Sequence, residues 1–280
     1  MMEIFIPNAN SRETYFTMHN IREAHRYSKG KGVKVGVIDW LFATDDNKSL
    51  YAGTVDLIGE PHLLHESSGH GLWMATVLRE IAPECEIYAI NAVTYDSDEI
   101  RSELFGSAID WAIENDIDVL THSHMKLNAE FTDEAISRAA KHGIITTFIH
   151  NDHPDNIWCG GCIPYYGQGF SRVPDINIYH YDYNHLFIEQ YEKYTDKINK
   201  GERIDSGNDI PYFSISSTSP VTGGFAAILK SIKPSLTPSE CKEILINTSY
   251  PINERIGEHW YDIDVCPRVA DIGKAVKSII

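Results

Sequence analysis

Four short apolar runs, separated by amphipathic stretches, constrain the fold more than anything else in this chain. They are "VKVGVIDW" (Val33–Trp40), "CEIYAINAV" (Cys85–Val93), "IDVLTHS" (Ile117–Ser123) and "IITTFIH" (Ile144–His150). Each is too short for a typical helix and too rich in β-branched residues for a loop. The first is also too continuously apolar for a strand with one wet face, as expected of a strand buried on both sides. Between them lie "GLWMATVLREI" (Gly71–Ile81), "RSELFGSAIDWAIEN" (Arg101–Asn115) and "TDEAISRAAKHG" (Thr132–Gly143), which read as helices, the last ending on a glycine stop signal. Strand and helix in alternation predict an α/β fold: a three-layer arrangement with a mainly parallel central sheet flanked by helices.

Regularity fades from about Asn151 to Pro211, where aromatic, Gly, Pro and Asp residues surround short strand-like pieces such as "INIYHYDY" (Ile176–Tyr183). It returns at Thr218–Ile232, a helix, and at Leu236–Thr248, another. In the second, Thr237 stands at the N-cap, Pro238 at the first helical position and Glu240 at the capping-box position. No repeat, low-complexity tract or linker interrupts the 280 residues, so residues 1–280 are expected to form one domain.

Several classes of protein fall away on composition. No stretch approaches the roughly 20 apolar residues of a membrane span, and the N-terminus lacks the basic and apolar regions of a secretory signal. Five scattered cysteines do not look like a disulfide framework. A cytoplasmic protein is the expectation. A net charge of −16, from 40 acidic and 24 basic side chains, argues against nucleic acid as partner. It either serves solubility alone or favours cationic peptides.

In parallel α/β sheets, sites gather at the carboxyl ends of strands and at the starts of the following helices. Three polar residues occupy such places. Asp39 closes the first strand, His70 stands at the mouth of the Gly71–Ile81 helix, and Ser216 at the mouth of the Thr218–Ile232 helix. Each has a bland reading, as a turn residue, a polar helix start or one of several N-cap candidates among Ser216, Ser217, Thr218 and Ser219. The order Asp, His, Ser along one α/β chain is nevertheless the order found in subtilisin.

At these residues the chain resembles the subtilisin-like serine proteases. "GKGVKVGVID" (Gly30–Asp39) is similar to the family's segment around its catalytic Asp. "GHGLWMATVLREIAPECEIYAINAV" (Gly69–Val93) is similar to its His segment, including the Ala82–Pro83 pair. "FIHN" (Phe148–Asn151) falls where the family carries its oxyanion-hole Asn, and "SISSTSP" (Ser214–Pro220) matches its Ser motif, with Pro220 and Gly224 placing the nucleophile at Ser216. The resemblance implies a serine endopeptidase with catalytic Asp39, His70 and Ser216 and oxyanion residue Asn151. It puts Ser123, His124 and Met125 on the substrate-binding strand, and a peptide or protein as substrate. It implies no cofactor, calcium being carried by many relatives.

Departures accompany the match. Trp40 and Leu41 stand where the family has Ser or Thr followed by Gly, Ser214 and Ile215 replace Gly and Thr beside the nucleophile, and His150 replaces the Gly before Asn151. These surroundings suggest a narrow substrate range or, in the alternative, a catalytically silent binding protein on the same fold. No counterpart of the family's inhibitory prodomain is expected, since too few residues precede the first matched segment to form one. Weaker signals remain. Cys159 and Cys162 form a lone C-x-x-C that reads as a reduced loop rather than a zinc site, even with His150 and His153 nearby. His122 and His124 share one strand face and are expected to line the groove. Acidic loops at Asp45–Lys48 and Asp96–Glu99 lack a calcium-loop pattern. No metal is assigned, and nothing fixes the oligomeric state.

Overall fold

The structure is a computed structural model that describes residues 16–17, 19–94, 96–124, 129–149, 151–161, 176–178, 215–251 and 268–280. A five-stranded sheet lies at its centre: β1 (Lys34–Asp39), β2 (Gly53–Asp56), β3 (Glu86–Asn91), β4 (Val119–His122) and β5 (Ile145–Phe148). The order is β2-β3-β1-β4-β5 and every pairing is parallel. The expected fold class is therefore what the chain adopts. β1 sits in the middle because its residues are apolar on both sides. Val35 and Val37 enter one core cluster and Ile38 the other, as the two-residue period of a strand dictates.

The helices cover both faces. They are α1 (Ile21–Ala24), α2 (Pro61–His65), α3 (His70–Ile81), α4 (Asp98–Glu114), α5 (Ala129–Lys141), α6 (Thr218–Ile232), α7 (Pro238–Thr248) and α8 (Ile272–Lys277), of which α2 to α5 supply the long crossovers that parallel strands need. α3, α6, α7 and α8 pack in one cluster with Val35, Val37, Ile87 and Val119. α4 and α5 pack in the other with Ile38, Ile90 and Leu120. α6 is buried continuously from Thr218 to Lys230, so it is a central helix rather than a surface one. α7 begins with the predicted capping box: Glu240 N–H donates to Thr237 Oγ1 at 3.2 Å and Thr237 N–H to Glu240 Oε2 at 2.9 Å.

Two elements between β1 and α3 have no counterpart in the sequence reading. β2 is a four-residue edge strand and α2 a five-residue helix, both too short to express a period. α4 starts earlier than expected, because Ser97 caps it (Oγ accepting from Ile100 N–H at 3.4 Å) and Asp98 and Glu99 form an acidic first turn. That turn accounts for the acidic pair Asp98–Glu99. A small second sheet joins β6 (Cys159–Gly161), β7 (Ile176–Ile178), β8 (Tyr250–Pro251) and β9 (Arg268–Val269). The rest of the strand-like piece at Ile176–Tyr183 lies outside the described residues.

Strand order fixes where a site can form. β1 has β3 on one side and β4 on the other, so its carboxyl end is a switch point, with a crevice between diverging connections. Asp39 ends β1 at that point, opposite Asn91 of β3, while Ile38 is opposite His122 of β4.

Candidate active site

Asp39 is completely buried. A lone carboxylate there would take up a proton rather than remain charged. It is instead surrounded by donors. Trp40 N–H donates to its Oδ1 at 2.9 Å, and His70 Nδ1 lies 2.8 Å from Oδ2 and 3.0 Å from Oδ1. His124 Nε2 lies 3.2 Å from Oδ1. Burial pushes Asp39 up, yet the charges and hydrogen bonds of His70 and His124 outweigh it and hold the carboxyl well below the usual range. An ionised Asp39 fixes the His70 proton on Nδ1 and leaves Nε2 as the acceptor. Burial opposes the His70 charge, but the neighbouring Asp39 raises the imidazole above its ordinary value.

The approach of His70 to Asp39 is built by backbone. α3 has no side-chain cap, and its N-cap is Gly69. Its first amides reach across instead: Gly71 N–H donates to Trp40 O at 2.8 Å and Leu72 N–H to Leu41 O at 3.3 Å. The carbonyls of the turn after Asp39 thus cap the helix that carries His70. Only glycine fits at the crossing. A Cβ on Gly71 would lie 2.5 Å from Trp40 O, and one on Gly69 2.5 Å from Leu41 Cδ1. Leu41 itself has φ +60°, a left-handed backbone that costs a non-glycine residue roughly 1–2 kcal/mol.

Ser216 lies in a 3₁₀ turn, Ile215–Ser217, at the entrance to α6, and this turn contacts α3. Its backbone carbonyl accepts from Ser123 Oγ at 2.8 Å, and its own Oγ donates to Ser123 O at 3.5 Å. Among the described residues no hydrogen bond joins Ser216 to His70. The crowd of hydroxyls around it has a structural use. Ser219 Oγ accepts from His122 N–H at 3.0 Å and Ser219 O from Thr147 Oγ1 at 3.1 Å, tying α6 to β4 and β5. Ser217 stands at the N-cap position without a side-chain cap bond.

Asn151 is buried just beyond β5. Its Oδ1 accepts from His153 N–H at 3.0 Å, which assigns Nδ2 as the other end of the amide. A residue that sequence reasoning missed holds this loop. Asn156 accepts from Phe148 N–H at 2.9 Å and donates to Phe148 O at 3.1 Å and Asn151 O at 2.8 Å. Nothing in its sequence neighbourhood signals that role.

The three expected strand residues separate. Ser123 is tied to the Ser216 segment, His124 is directed at Asp39, and Met125 lies outside the described residues, as do His150 and Cys162. His122 does not line a groove. It is buried, edge-on to Phe105 and Phe148 at 5.2 and 5.8 Å, and burial lowers its pKa to about 3. Cys159 Sγ is 3.6 Å from Thr147 O inside the core, and His153 Nε2 pairs with Ser137 Oγ at 3.3 Å. Among the described residues the His, Cys, Asp and Glu side chains close enough to share an ion are Asp39, His70 and His124.

A parallel sheet with this order, carrying an Asp–His pair at its switch point and a Ser at the mouth of the central helix, is the arrangement expected of a subtilisin-like fold. No family model matches the chain. Subtilisin BL of Lederbergia lenta is 23% identical over 234 residues, 79% of this chain and 84% of that protein. A thermostable alkaline protease of Halalkalibacterium halodurans is 24% identical over 247 residues, 82% of this chain but 66% of that protein. Among solved structures, the prenylagaramide maturation protease PagA superposes with a TM-score of 0.67 at 15% identity, covering 93% of this chain and 98% of that one. A cold-adapted subtilisin-like serine proteinase gives 0.63 at 13% identity, covering 87% and 90%. The chain has a subtilisin-like fold and is similar in sequence to serine proteases.

Proposed function

We propose that the chain is a serine endopeptidase that cleaves peptide bonds through Asp39, His70 and Ser216. The observation that carries this reading is the Asp39–His70 contact, 2.8 Å long and buried at the switch point of the sheet. An imidazole held in that tautomer offers Nε2 as a base. Ser216 Oγ attacks the scissile carbonyl and gives its proton to His70 Nε2. The tetrahedral oxyanion accepts from the Asn151 amide and the Ser216 backbone N–H, each such donor being worth about 3–4 kcal/mol. The C–N bond breaks as His70 passes the proton to the departing amine. Water, deprotonated by the same imidazole, then releases the acyl group from Ser216.

The Ser216 hydroxyl completes this chemistry by turning from Ser123 O toward His70. Catalytic hydrogen bonds often tighten only once substrate is bound. Substrate lies along residues 123–125 as an added strand, a mode that uses main-chain pairing for affinity. Incubation with an internally quenched peptide library, with and without phenylmethanesulfonyl fluoride, tests the reading. Inhibitor-sensitive cleavage supports it. A folded protein that binds peptides without cleaving them makes the chain a silent binding protein instead.

A further inference from the structure

Asp39 receives more donors than a His–Asp pair requires. A carboxylate is loosely held about its terminal torsion, which is broad and two-fold. With His70 as its sole side-chain partner, Asp39 could exchange its oxygens or rotate out of line. Here Oδ1 is met by Trp40 N–H at 2.9 Å, by the longer arm of His70 Nδ1 at 3.0 Å and by His124 Nε2 at 3.2 Å, while Oδ2 takes the shortest contact, His70 Nδ1 at 2.8 Å. The geometry points to His124 as a positioning residue, a second imidazole that donates to Asp39 Oδ1 and keeps Oδ2 aimed at His70. This rests on the roles given above to Asp39, His70 and Ser216.

His124 is itself held from behind. Its backbone N–H donates to His122 Nδ1 at 3.2 Å. His122 is sealed among Phe105 and Phe148 and stays neutral through the working pH range, so its Nδ1 remains an acceptor. Ser123, between them, holds the Ser216 carbonyl. Three consecutive residues therefore grip the core, the proposed nucleophile's turn and the buried carboxylate in turn. The His70 and His124 rings lie 5.0 Å apart, with Asp39 bridging them. The other titratable or charged groups acting here are His122 of β4, Tyr51 after the 3₁₀ turn Lys48–Leu50, and Arg101 of α4. A donor on Oδ1 draws charge from the carboxylate, so Asp39 holds the His70 proton less tightly than it would unaided.

The test pairs His124→Leu with His124→Gln, whose side-chain N–H can reach the same oxygen. Each is read by kcat and KM against pH on a quenched peptide. The His70 imidazole is also titrated by 15N NMR in a Ser216→Ala background. His124→Leu should lose about 10- to 100-fold in kcat, with KM little changed, because a hydrogen bond to a charged group is lost. Its His70 should titrate higher than in the parent. His124→Gln should recover most of the rate and the parent titration. Unchanged rate and titration in His124→Leu overturn the inference, as does equal loss in both variants with an unmoved titration. Should His124→Leu fail to fold, a parent spectrum with no proton on His124 Nε2 overturns it alone. Stoichiometric zinc that depends on His124, with activity gained on chelation, would overturn it in favour of a metal site. The titration needs no turnover, so a protein that cleaves nothing but still couples His124 to His70 refutes the catalytic roles and not the contact.

Discussion

The two halves of the site are held in different ways. Around Asp39 every polar contact is short, and the group is sealed from water: one amide and two imidazoles converge on a single carboxylate, and the helix bearing His70 is capped by the carbonyls beside it. Around Ser216 the ties are to backbone. Ser123 holds the Ser216 carbonyl, Asn156 holds the Asn151 loop, and among the described residues the Ser216 hydroxyl makes a single long bond at 3.5 Å. The difference follows from charge. A buried carboxylate must be satisfied in the resting state or it destabilises the fold, whereas a neutral hydroxyl can wait for substrate at little cost.

The largest effects should come from cutting across both halves. Ser216→Ala and His70→Ala should each lower kcat/KM by roughly 10⁴- to 10⁶-fold, and the double variant by no more than the worse single one, because the groups act as a unit. Additive losses would mean that the halves work independently.

Acid should next expose the pre-organised half. His19 and His122 are fully buried with pKa values lowered to about 4 and about 3, so both fold as neutral rings. Their unfolded counterparts bind protons near 6.5. The stability they contribute is present above that value and is lost as pH falls toward the folded values. Asp39 adds in the same direction at lower pH, since its carboxyl is depressed. His70 runs the other way, its raised pKa favouring the folded state below 6.5 and losing that contribution as pH rises through the folded value. The net expectation is a loss of several kcal/mol between pH 6.5 and 4, since each unit of pKa shift is worth about 1.4 kcal/mol. Urea midpoints across that range check it, and a flat profile would contradict the burial of these histidines.

A smaller effect tests how His70 is delivered. Gly71→Ala should destabilise by about 1–3 kcal/mol through overpacking against Trp40 O, and should lower activity more than its stability loss explains. Thermal melts and kcat together read both. On the loosely held side, Ser123→Ala removes one neutral hydrogen bond to the Ser216 carbonyl. It should cost about 1 kcal/mol and under tenfold in kcat. A larger loss from Ser123→Ala than from Gly71→Ala would invert the comparison.

The same contrast decided what the sequence disclosed. β1, α3, β3 and α6 are legible because long apolar periods and Gly-bounded turns are local properties. Asp39 and His70 sit at the ends of such elements, and their meeting could be expected. The second imidazole on Asp39 could not. The H-x-H spacing puts His122 and His124 on one strand face, but which ring enters the Phe105–Phe148 cluster and which meets the carboxylate depends on a neighbouring strand and helix. β2 and α2 escaped for the opposite reason, being too short to carry any period. Asn156 works by clamping backbone, which leaves no mark on residue type.

The central claim is that one hydroxyl among several is the nucleophile, and mapping a fluorophosphonate adduct tests it most directly. The account predicts one equivalent of label on the folded protein, located by mass spectrometry on Ser216 and lost in both His70→Ala and Ser216→Ala. Label on Ser217 or Ser219, or no label on a protein that melts cooperatively, would contradict it.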